Sequence, residues 1–439
     1  MKKETNTRSA KSQLSAPIPR KPSGNNIPDD FLILAWIGPG GDQITPKTMT
    51  DLANGGFNAS LSYLSPDNMI AQLDMAQEAG VRIIMHVPGM RVSAGEVTDA
   101  WKERMRGVIE QVRSHPALLG YYIADEPKIQ LMADIAKAFA FFREHDPDHL
   151  CYCNHWTTNM SWSGYRSYEE MWDEFGKTCA PEFVSSDYYP FSVVSEEEWL
   201  ANRDTNPYYY PRHKARIAVQ FFEMLDVVRQ YSLRWQVPMW MCNYGTYQYA
   251  PETRDGEMTF QVMVNLAYGS RCIQYFTYAY NNMMIDPPDA TPNENWQAAR
   301  RINRVLSAWG PTLMKLRSIG VYHYPPNLTG TRSLDQCILG NPSDLFARGD
   351  AVVVGQFIDE DAGDEGGWEY ALIVNRSPFE PSHTDFHFGT DGPVEELSGE
   401  SGQWIAPNPY GSSNPRKMAL RFLPGQGRLF RYKREIRVT

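Results

Sequence analysis

Three short apolar runs decide the fold: FLILAWIGPGG (residues 31–41), GFNASLSYL (56–64) and VRIIMHVPG (81–89). Each ends in polar or aromatic residues, and five runs of the same kind follow: LLGYYIADEP (118–127), HLCYCNHW (149–156), FVSSDYYPF (183–191), VPMWMCNYG (237–245) and RCIQYFTYAY (271–280). Segments with helical periodicity lie between them. One is predicted to start with Ser65 as its N-cap and to stop at Gly80, and another to run from Ile129 to Glu144.

Strands that alternate with helices build parallel βαβ units. Eight such units in about 280 residues match a (β/α)8 TIM barrel, which we place at residues 28–316. The competing α/β architecture is a doubly wound open sheet, which usually carries a glycine-rich phosphate turn after its first strand. The turn Gly38-Pro39-Gly40-Gly41 does not have that pattern, so the barrel is favoured.

The rhythm changes after about Pro311, where short strands separated by turns replace the helical segments. The strand candidates are AVVVGQFI (351–358), YALIVNRS (370–377), TDFHFG (384–389) and MALRFLPGQGRLFRYK (418–433). They predict a small C-terminal antiparallel β-sandwich domain over residues 317–439. Residues 1–27 are basic and rich in Ser, Pro and Asn, and are predicted to form an extended or disordered tail. They lack the apolar segment of a signal peptide, but a secreted or periplasmic protein with its signal trimmed would look the same, so the compartment stays open.

The composition argues against several classes of function. The 439 residues include 42 basic and 52 acidic side chains, a formal net charge of −10, which disfavours a nucleic-acid partner. No apolar run approaches about eighteen residues, so no membrane-spanning segment is predicted. Six cysteines are ordinary usage. Aromatic residues make up 13% of the chain, and many adjoin Asn, Asp, His or Gly, which is typical of a cleft that binds a carbohydrate.

The active site of a (β/α)8 barrel lies at the C-terminal ends of its strands, so the last residues of each predicted strand are candidates. Two of them, Glu126 and Asp187, are candidate catalytic carboxylates. The others are predicted to bind or stack on the substrate: Trp36, Tyr63, His86, Asp125, Asn154, His155, Trp156, Tyr188, Asn243, Tyr244, Gln274 and Tyr278. The set contains no Cys–His pair, no metal triad and no lysine suited to a Schiff base. Carboxylate chemistry without a metal or a cofactor is therefore expected.

Two carboxyl groups that flank a glycosidic bond are what glycoside hydrolysis needs. Glu126 follows the apolar residues 121–124, and apolar walls would raise its pKa as an acid catalyst requires. The structural alternative for Glu126 is a contact with a helix N-terminus. Asp187 is the preferred second carboxylate. Its alternative role is to position sugar hydroxyls or a neighbouring side chain, and Glu252 is a reserve candidate for the second carboxylate. Strand alternation predicts that Asp125 points away from Glu126 or caps a helix.

Four stretches carry a resemblance to a known group of enzymes: GYYIADEP (120–127), SSDYYPF (185–191), LAYGSRCIQYFTY (266–278) and LPGQGRLFRY (423–432). With them the chain resembles the clan of (β/α)8 glycoside hydrolases that includes the family 42 β-galactosidases. It is more similar still to uncharacterised β-galactosidase-like hydrolases of polysaccharide-degrading bacteria. The resemblance covers most of residues 28–433 and implies a glycoside hydrolase that acts on an oligo- or polysaccharide.

In that clan the acid/base glutamate ends the fourth strand, which corresponds to Glu126. The residue before it is usually Asn, whereas this chain has Asp125. The nucleophile glutamate normally ends the seventh strand, whereas MWMCNYG (239–245) has no carboxylate there. Asp187 or another group would then supply the second carboxylate. Two alternatives stay open: a non-catalytic carbohydrate-binding protein on this scaffold, and a different barrel enzyme such as a carbohydrate lyase or isomerase.

Overall fold

The computed structural model describes residues 27–93, 95–157, 162–211, 214–244, 255–279, 283–325, 345–359 and 367–433. Eight parallel strands within them form one sheet: β1 (Leu32–Trp36), β2 (Ala59–Tyr63), β3 (Arg82–His86), β4 (Leu118–Asp125), β5 (Leu150–Asn154), β6 (Val184–Asp187), β10 (Met239–Tyr244) and β11 (Ser270–Phe276). Their order is β5-β4-β3-β2-β1-β11-β10-β6, so the last strand in sequence lies beside the first. This is the predicted (β/α)8 TIM barrel.

The barrel closes along a seam between β5 and β6. The backbone N–H of His155 donates to the carbonyl oxygen of Ser185 at 3.0 Å. The hydroxyl of Ser186 donates across the same seam to the carbonyl oxygens of His155 (3.2 Å) and Trp156 (3.1 Å). Side-chain hydroxyls therefore supplement the backbone where the two edges of the sheet meet.

Helices surround the barrel: α1 (Pro46–Asn54), α2 (Met69–Glu78), α3 (Asp99–Val112), α4 (Met132–His145), α5 (Tyr168–Cys179), α6 (Glu196–Asn202), α7 (Gln220–Trp235), α8 (Asp255–Ala267) and α9 (Glu294–Leu313). Helix α2 begins later than the Ser65 N-cap predicts. The N–H of Asn68 donates to the carbonyl oxygen of Ser65 at 2.9 Å, so residues 65–68 form a turn ahead of the helix. No described helix combines the length and the apolar composition that crossing a membrane demands.

Two apolar layers hold the barrel together because its parallel strands are buried on both faces. Inside it, alternate residues such as Leu34, Tyr152 and Trp240 form one cluster. The residues between them, such as Ile33 and Ile273, pack against the surrounding helices. This alternation decides which strand-end side chains reach the mouth of the barrel.

Short antiparallel strands are inserted between the barrel elements: β7 (Phe191–Val193), β8 (Tyr209–Tyr210) and β9 (Ala215–Ile217) after β6, and β12 (Ile285–Asp286) and β13 (Thr291–Pro292) after β11. The chain then forms β14 (Leu316–Tyr324), β15 (Phe346–Gly349), β16 (Val352–Asp359), β17 (Trp368–Asn375), β18 (Ser382–His387), β19 (Val394–Leu397), β20 (Trp404–Ile405), β21 (Met418–Phe422) and β22 (Gly427–Lys433). These nine strands make a six-stranded sheet, β14-β16-β17-β22-β19-β20, and a three-stranded sheet, β15-β18-β21.

The two C-terminal sheets share a core, to which Val354 and Phe430 of one sheet and Phe386 and Leu420 of the other contribute. They form the antiparallel sandwich that the sequence predicts, while the boundary between residues 316 and 317 stays a prediction. The other face of the six-stranded sheet packs on the barrel helices. A Cβ at Gly355 would lie 2.2 Å from the carbonyl oxygen of Ala267, so β16 can approach the end of α8 only with glycine there.

Candidate active site

Strand β6 shows why Asp187 reaches the mouth. Phe183, just before the strand, stacks on Trp240 inside the barrel with ring centroids 4.0 Å apart. Ser185, two residues on, hydrogen-bonds interior side chains as described below. Because strand side chains alternate, Asp187 also points inward, at the last position of the strand.

A bulge in β4 decides the direction of Asp125. Tyr122 is opposite Tyr152, but the register shifts between Tyr122 and Ala124, so that Asp125 rather than Ala124 is opposite Asn154. Tyr152 points into the barrel, and Asn154, two residues later, does so too. Asp125 therefore turns inward as well. The prediction that it points away from Glu126 is wrong, because alternation fails where a bulge inserts one residue.

Glu126 lies at the bend that follows β4. Its φ of 46° is left-handed, an uncommon conformation for a residue with a side chain, and its N–H donates to the carbonyl oxygen of Asn154 at 2.8 Å. Burial raises the pKa of Glu126 to about 9, helped by the charges of Asp187 and Asp125 and opposed by Arg91. The charge of Asp187 contributes to this rise, so the two carboxyl groups lie close enough to interact.

Asp187 is buried, with 7% of its surface exposed. Its Oδ2 accepts a hydrogen bond from the hydroxyl of Tyr189 at 3.1 Å, whereas its Oδ1 has no partner among the described residues. Burial raises the pKa of Asp187 to about 7, with a further contribution from the Asp125 charge, while the Tyr189 hydroxyl acts in the opposite direction. Burial likewise raises the pKa of Asp125, and Arg91, Tyr122 and Asn154 beside it oppose that rise.

A chain of hydrogen bonds lies directly beneath the carboxylates. The indole N–H of Trp36 donates to the Tyr152 hydroxyl at 2.9 Å, which donates to Oε1 of Gln274 at 2.5 Å. Nε2 of Gln274 donates to the Ser185 hydroxyl at 2.9 Å, and that hydroxyl donates to Oδ1 of Asn154 at 2.8 Å. An indole can only donate, so the direction of every bond in the chain is fixed. The amide nitrogen of Asn154 is then the group left for Asp125.

Aromatic rings form a continuous arc around the mouth, each in contact with the next. Successive ring centroids lie between 4.6 and 6.0 Å apart. The members of this aromatic arc, in order, are Tyr63, His86, Tyr122, Trp36, Phe276, Tyr244 and Tyr189. Burial, and secondarily the charge of Arg91, lowers the pKa of His86 to about 4, so this member of the arc is a neutral ring near neutral pH.

Four predicted binding residues do not reach the mouth, because their side chains point outward, away from the barrel interior. His155 is fully buried between Trp172 and Phe175 of α5, and burial lowers its pKa to about 3. The ring of Tyr188 contacts that of Phe221, and the ring of Tyr278 contacts that of Phe57. Oδ1 of Asn243 accepts a hydrogen bond from the side-chain amide of Asn265, on α8, at 2.6 Å. The expectation that these four side chains line the cleft is corrected by their positions.

The remaining predicted residues divide into two groups. Trp36, Tyr63, His86 and Tyr244 belong to the aromatic arc, and Asn154 and Gln274 to the hydrogen-bond chain. Trp156, beyond β5, meets the half-exposed Trp162 edge to face. Glu252, the reserve carboxylate, lies outside the described residues.

Six residues of the site were not predicted, and three of them, Tyr122, Tyr152 and Ser185, lie within strands rather than at their ends. Tyr189 and Phe276 follow from alternation, since they come two residues after Asp187 and Gln274, both of which point inward. Arg91 lies beyond β3, with its guanidinium Nη2 4.0 Å from Oδ2 of Asp125. No pattern in the sequence singles it out. Among the described residues, no group of three or more His, Cys, Asp or Glu side chains is arranged to hold a metal ion.

The sequence matches no family model and none of the curated proteins. Among solved structures, one described as a glycoside hydrolase has 11% identity and a TM-score of 0.54, over 92% of each chain. A glycoside hydrolase family 5 protein from Bacteroides vulgatus ATCC 8482 has 13% identity and a TM-score of 0.55, over 92% of this chain and 89% of its own. At these identities the likeness shows a shared fold. The resemblance to the family 42 β-galactosidases stays a prediction.

Proposed function

We propose that the protein is a glycoside hydrolase in which Glu126 is the general acid and Asp187 the second carboxylate. The observation that carries the proposal is a pair of carboxyl groups at the C-terminal ends of β4 and β6, close enough for the charge of Asp187 to raise the pKa of Glu126, with the aromatic arc around them. Two carboxyl groups can protonate the leaving oxygen and attack, or activate water against, the anomeric carbon. Flat aromatic faces suit the apolar side of a sugar ring.

The environments of the two groups separate their tasks. A raised pKa keeps Glu126 protonated at neutral pH, so it can give its proton to the glycosidic oxygen as the C–O bond breaks. Asp187 has the lower pKa of the two and ionises first. Its ionised carboxylate would attack the anomeric carbon or take a proton from water. Because the groups interact, the two pKa values belong to the pair.

Asp187 takes the place of a nucleophile that the clan normally carries on its seventh strand. The seventh strand here ends in Tyr244, which packs on Tyr189 (4.6 Å between ring centroids), and that tyrosine in turn holds Asp187. The carboxylate has thus moved one strand along the barrel, from β10 to β6. A carboxyl separation of about 5–5.5 Å would favour retention of configuration and about 6.5–9.5 Å inversion. The β-galactosidase-like specificity that the sequence resemblance implies is the finer part of this proposal.

The experiment compares wild type with Glu126→Gln and Asp187→Asn on a panel of oligo- and polysaccharides, measured by release of reducing ends. We expect each variant to lose about 100- to 10,000-fold in turnover while its affinity for the sugar stays measurable. The exposed Glu110→Gln, on α3, is the matched control and should stay fully active. The proposal is wrong if Glu126→Gln cleaves a wild-type substrate at the wild-type rate. Proton NMR of the first product released then separates retention from inversion.

A second candidate function rests on the lack of a carboxylate at the end of β10, where the chain has Tyr244. If no carboxylate replaces the seventh-strand glutamate in function, the scaffold would bind a carbohydrate without cleaving it. Binding of a glycan by wild type, with no reducing ends released at any pH between 5 and 9 over about a day, would favour this alternative. Equal affinities of wild type and Asp187→Asn would strengthen it, because Asp187 would then have no reaction to serve.

A further inference from the structure

Arg91 projects into the mouth from a loop that is fixed on both sides. Its neighbours Met90 and Val92 are buried, whereas 47% of the Arg91 side chain is exposed. The N–H of Met90 donates to the carbonyl oxygen of Val87 at 3.1 Å, and the N–H of Val92 donates to the carbonyl oxygen of Ile123 at 2.9 Å. The second bond ties the loop to β4 beside the bulge that turns Asp125 inward. Arg91 is therefore held at the catalytic carboxylates by its backbone.

The guanidinium of Arg91 rests on a ring rather than on a hydrogen-bond partner. Its Cζ lies 5.0 Å from the centroid of the Tyr122 ring, and its Nη2 lies 4.0 Å from Oδ2 of Asp125, beyond hydrogen-bonding distance. No described residue accepts a hydrogen bond from Arg91. Its N–H donors, five on a planar fork, are thus available at the mouth.

Two arginines of this chain, Arg143 and Arg428, use their donors within the fold, whereas Arg300 and Arg421 lie over rings as Arg91 does. Arg143 donates to Oε1 of Glu182 at 2.7 Å and to the carbonyl oxygens of Cys179 and Ala180. Arg428 donates to both carboxylate oxygens of Glu396, at 2.7 and 2.6 Å. These pairs show the geometry that an arginine with a structural task adopts in this protein. Arg91 donates no such hydrogen bond to a described residue, although it lies beside the proposed catalytic carboxylates.

We infer that Arg91 binds an anionic group of the substrate, so that the glycan cleaved at this site carries a uronic acid carboxylate or a sulfate ester. The inference rests on the proposed function and names its substrate class. The fork of Arg91 matches two oxygens of a carboxylate or a sulfate. The sugar would lie against Tyr63 and His86, two consecutive members of the aromatic arc, with its charged substituent toward Arg91, which lies over Tyr122.

The test uses matched pairs of 4-nitrophenyl glycosides in both anomers: glucuronide with glucoside, galacturonide with galactoside, and galactoside 6-sulfate with galactoside. We expect kcat/KM on one anionic member to exceed that on its neutral partner by at least about 10-fold. Whether a uronide or the sulfate is preferred identifies the anion. Arg91→Met should lose about 10- to 100-fold more on the anionic member than on the neutral one, mainly through KM. The kcat/KM of Arg91→Lys on the anionic member should lie between the values of wild type and Arg91→Met.

Arg106→Met is the matched control, because Arg106 on α3 also lies over an aromatic ring, Phe141 at 5.9 Å, and pairs with a carboxylate, Glu103, away from the mouth. It should keep the anionic preference. Equal losses of Arg91→Met on both members of a pair would overturn the inference, since Arg91 would then only offset the carboxylate charges. A wild-type preference for the neutral member would do the same.

A binding experiment separates this inference from the proposed hydrolysis. If no aryl glycoside is cleaved, affinity electrophoresis of Glu126→Gln in gels containing polygalacturonate, glucuronoxylan or carrageenan, against neutral galactan and xylan, replaces the kinetics. If an anionic polymer retards Glu126→Gln but not Glu126→Gln/Arg91→Met, the result supports Arg91 as the anion site even where hydrolysis has failed. Retardation only by the neutral polymers, or by none of the five, overturns it.

Discussion

The hydroxyl of Tyr189 donates a hydrogen bond to Oδ2 of Asp187 at 3.1 Å, while Oδ1 of the same carboxyl has no partner among the described residues. One oxygen is thus fixed by a hydrogen bond, and the other is buried. The donor comes from the residue two positions after Asp187, so strand β6 and the bend after it supply both members of the pair. Tyr189 is in turn held between Tyr244 and Phe276 of the aromatic arc.

Tyr189→Phe should move the acid limb of the pH–activity profile to higher pH. Activity requires an ionised Asp187 and a protonated Glu126, so the wild-type profile should rise with pH near 7 and fall near 9. The Tyr189 hydroxyl lowers the pKa of Asp187, and without it Asp187 ionises at higher pH. We expect kcat/KM at pH 6 to fall about threefold to tenfold more than at pH 8. An unchanged acid limb would show that Asp187 is not the group that must ionise.

Glu126→Gln should stabilise the protein at alkaline pH. The pKa of Glu126 is about 9 when folded against an ordinary 4.5, so between those values the folded state binds a proton that the unfolded state has released. Stability therefore falls as pH rises through this window, and a neutral glutamine removes the loss. At pH 8 we expect a Tm higher by about 2–4 °C than that of wild type, and at pH 4.5 no difference. Glu110→Gln should change neither, and a lower Tm of Glu126→Gln at pH 8 would contradict the raised pKa.

Tyr152→Phe should destabilise the barrel without touching the carboxylates. The variant leaves the indole N–H of Trp36 and the Oε1 of Gln274 without their shared partner, in the interior of the barrel. Unpaired buried groups of this kind cost about 1–3 kcal/mol each. Urea unfolding should show a loss of about 2 kcal/mol or more, against less than about 0.5 kcal/mol for the exposed Tyr410→Phe. A loss as small as that of the control would mean that the chain of hydrogen bonds does not stabilise the fold.

Tyr63→Ala should weaken binding of the sugar while leaving stability nearly unchanged. Tyr63 is 39% exposed and touches the aromatic arc only through the ring of His86, 5.9 Å away. Losing one stacking face should raise KM about fivefold to tenfold. Tyr63→Phe keeps the ring and should behave as wild type. Equal effects of the two variants would point to the hydroxyl rather than to the ring.

Much of the fold could be predicted from the sequence, because parallel strands buried on both faces are continuous apolar runs with recognisable ends. Those ends include Glu126 and Asp187, the two candidate catalytic carboxylates. Their catalytic roles remain predictions. The bulge in β4 could not be foreseen, because it depends on how Tyr122 and Ala124 pair with β5 rather than on local residue types.

Other differences between the predicted and the observed site arise because strand alternation was not applied to the residues just beyond each strand end. Taking every residue at a strand end as a candidate included His155 and Tyr188, which point outward, and left out Tyr189, which points inward. The position of Arg91 depends on a loop tied to β4 by backbone bonds, which leave no trace in the order of residue types.

The seam between β5 and β6 gives ligand binding a structural consequence. Asn154 ends one of these strands and Asp187 the other, and His155 supplies the backbone hydrogen bond that joins them to the carbonyl of Ser185. A sugar that touched both side chains would bridge the barrel at the place where its wall has the fewest backbone links. Occupancy would then tighten the whole ring, and slower deuterium uptake at the amide of His155 would report that tightening from outside the cleft.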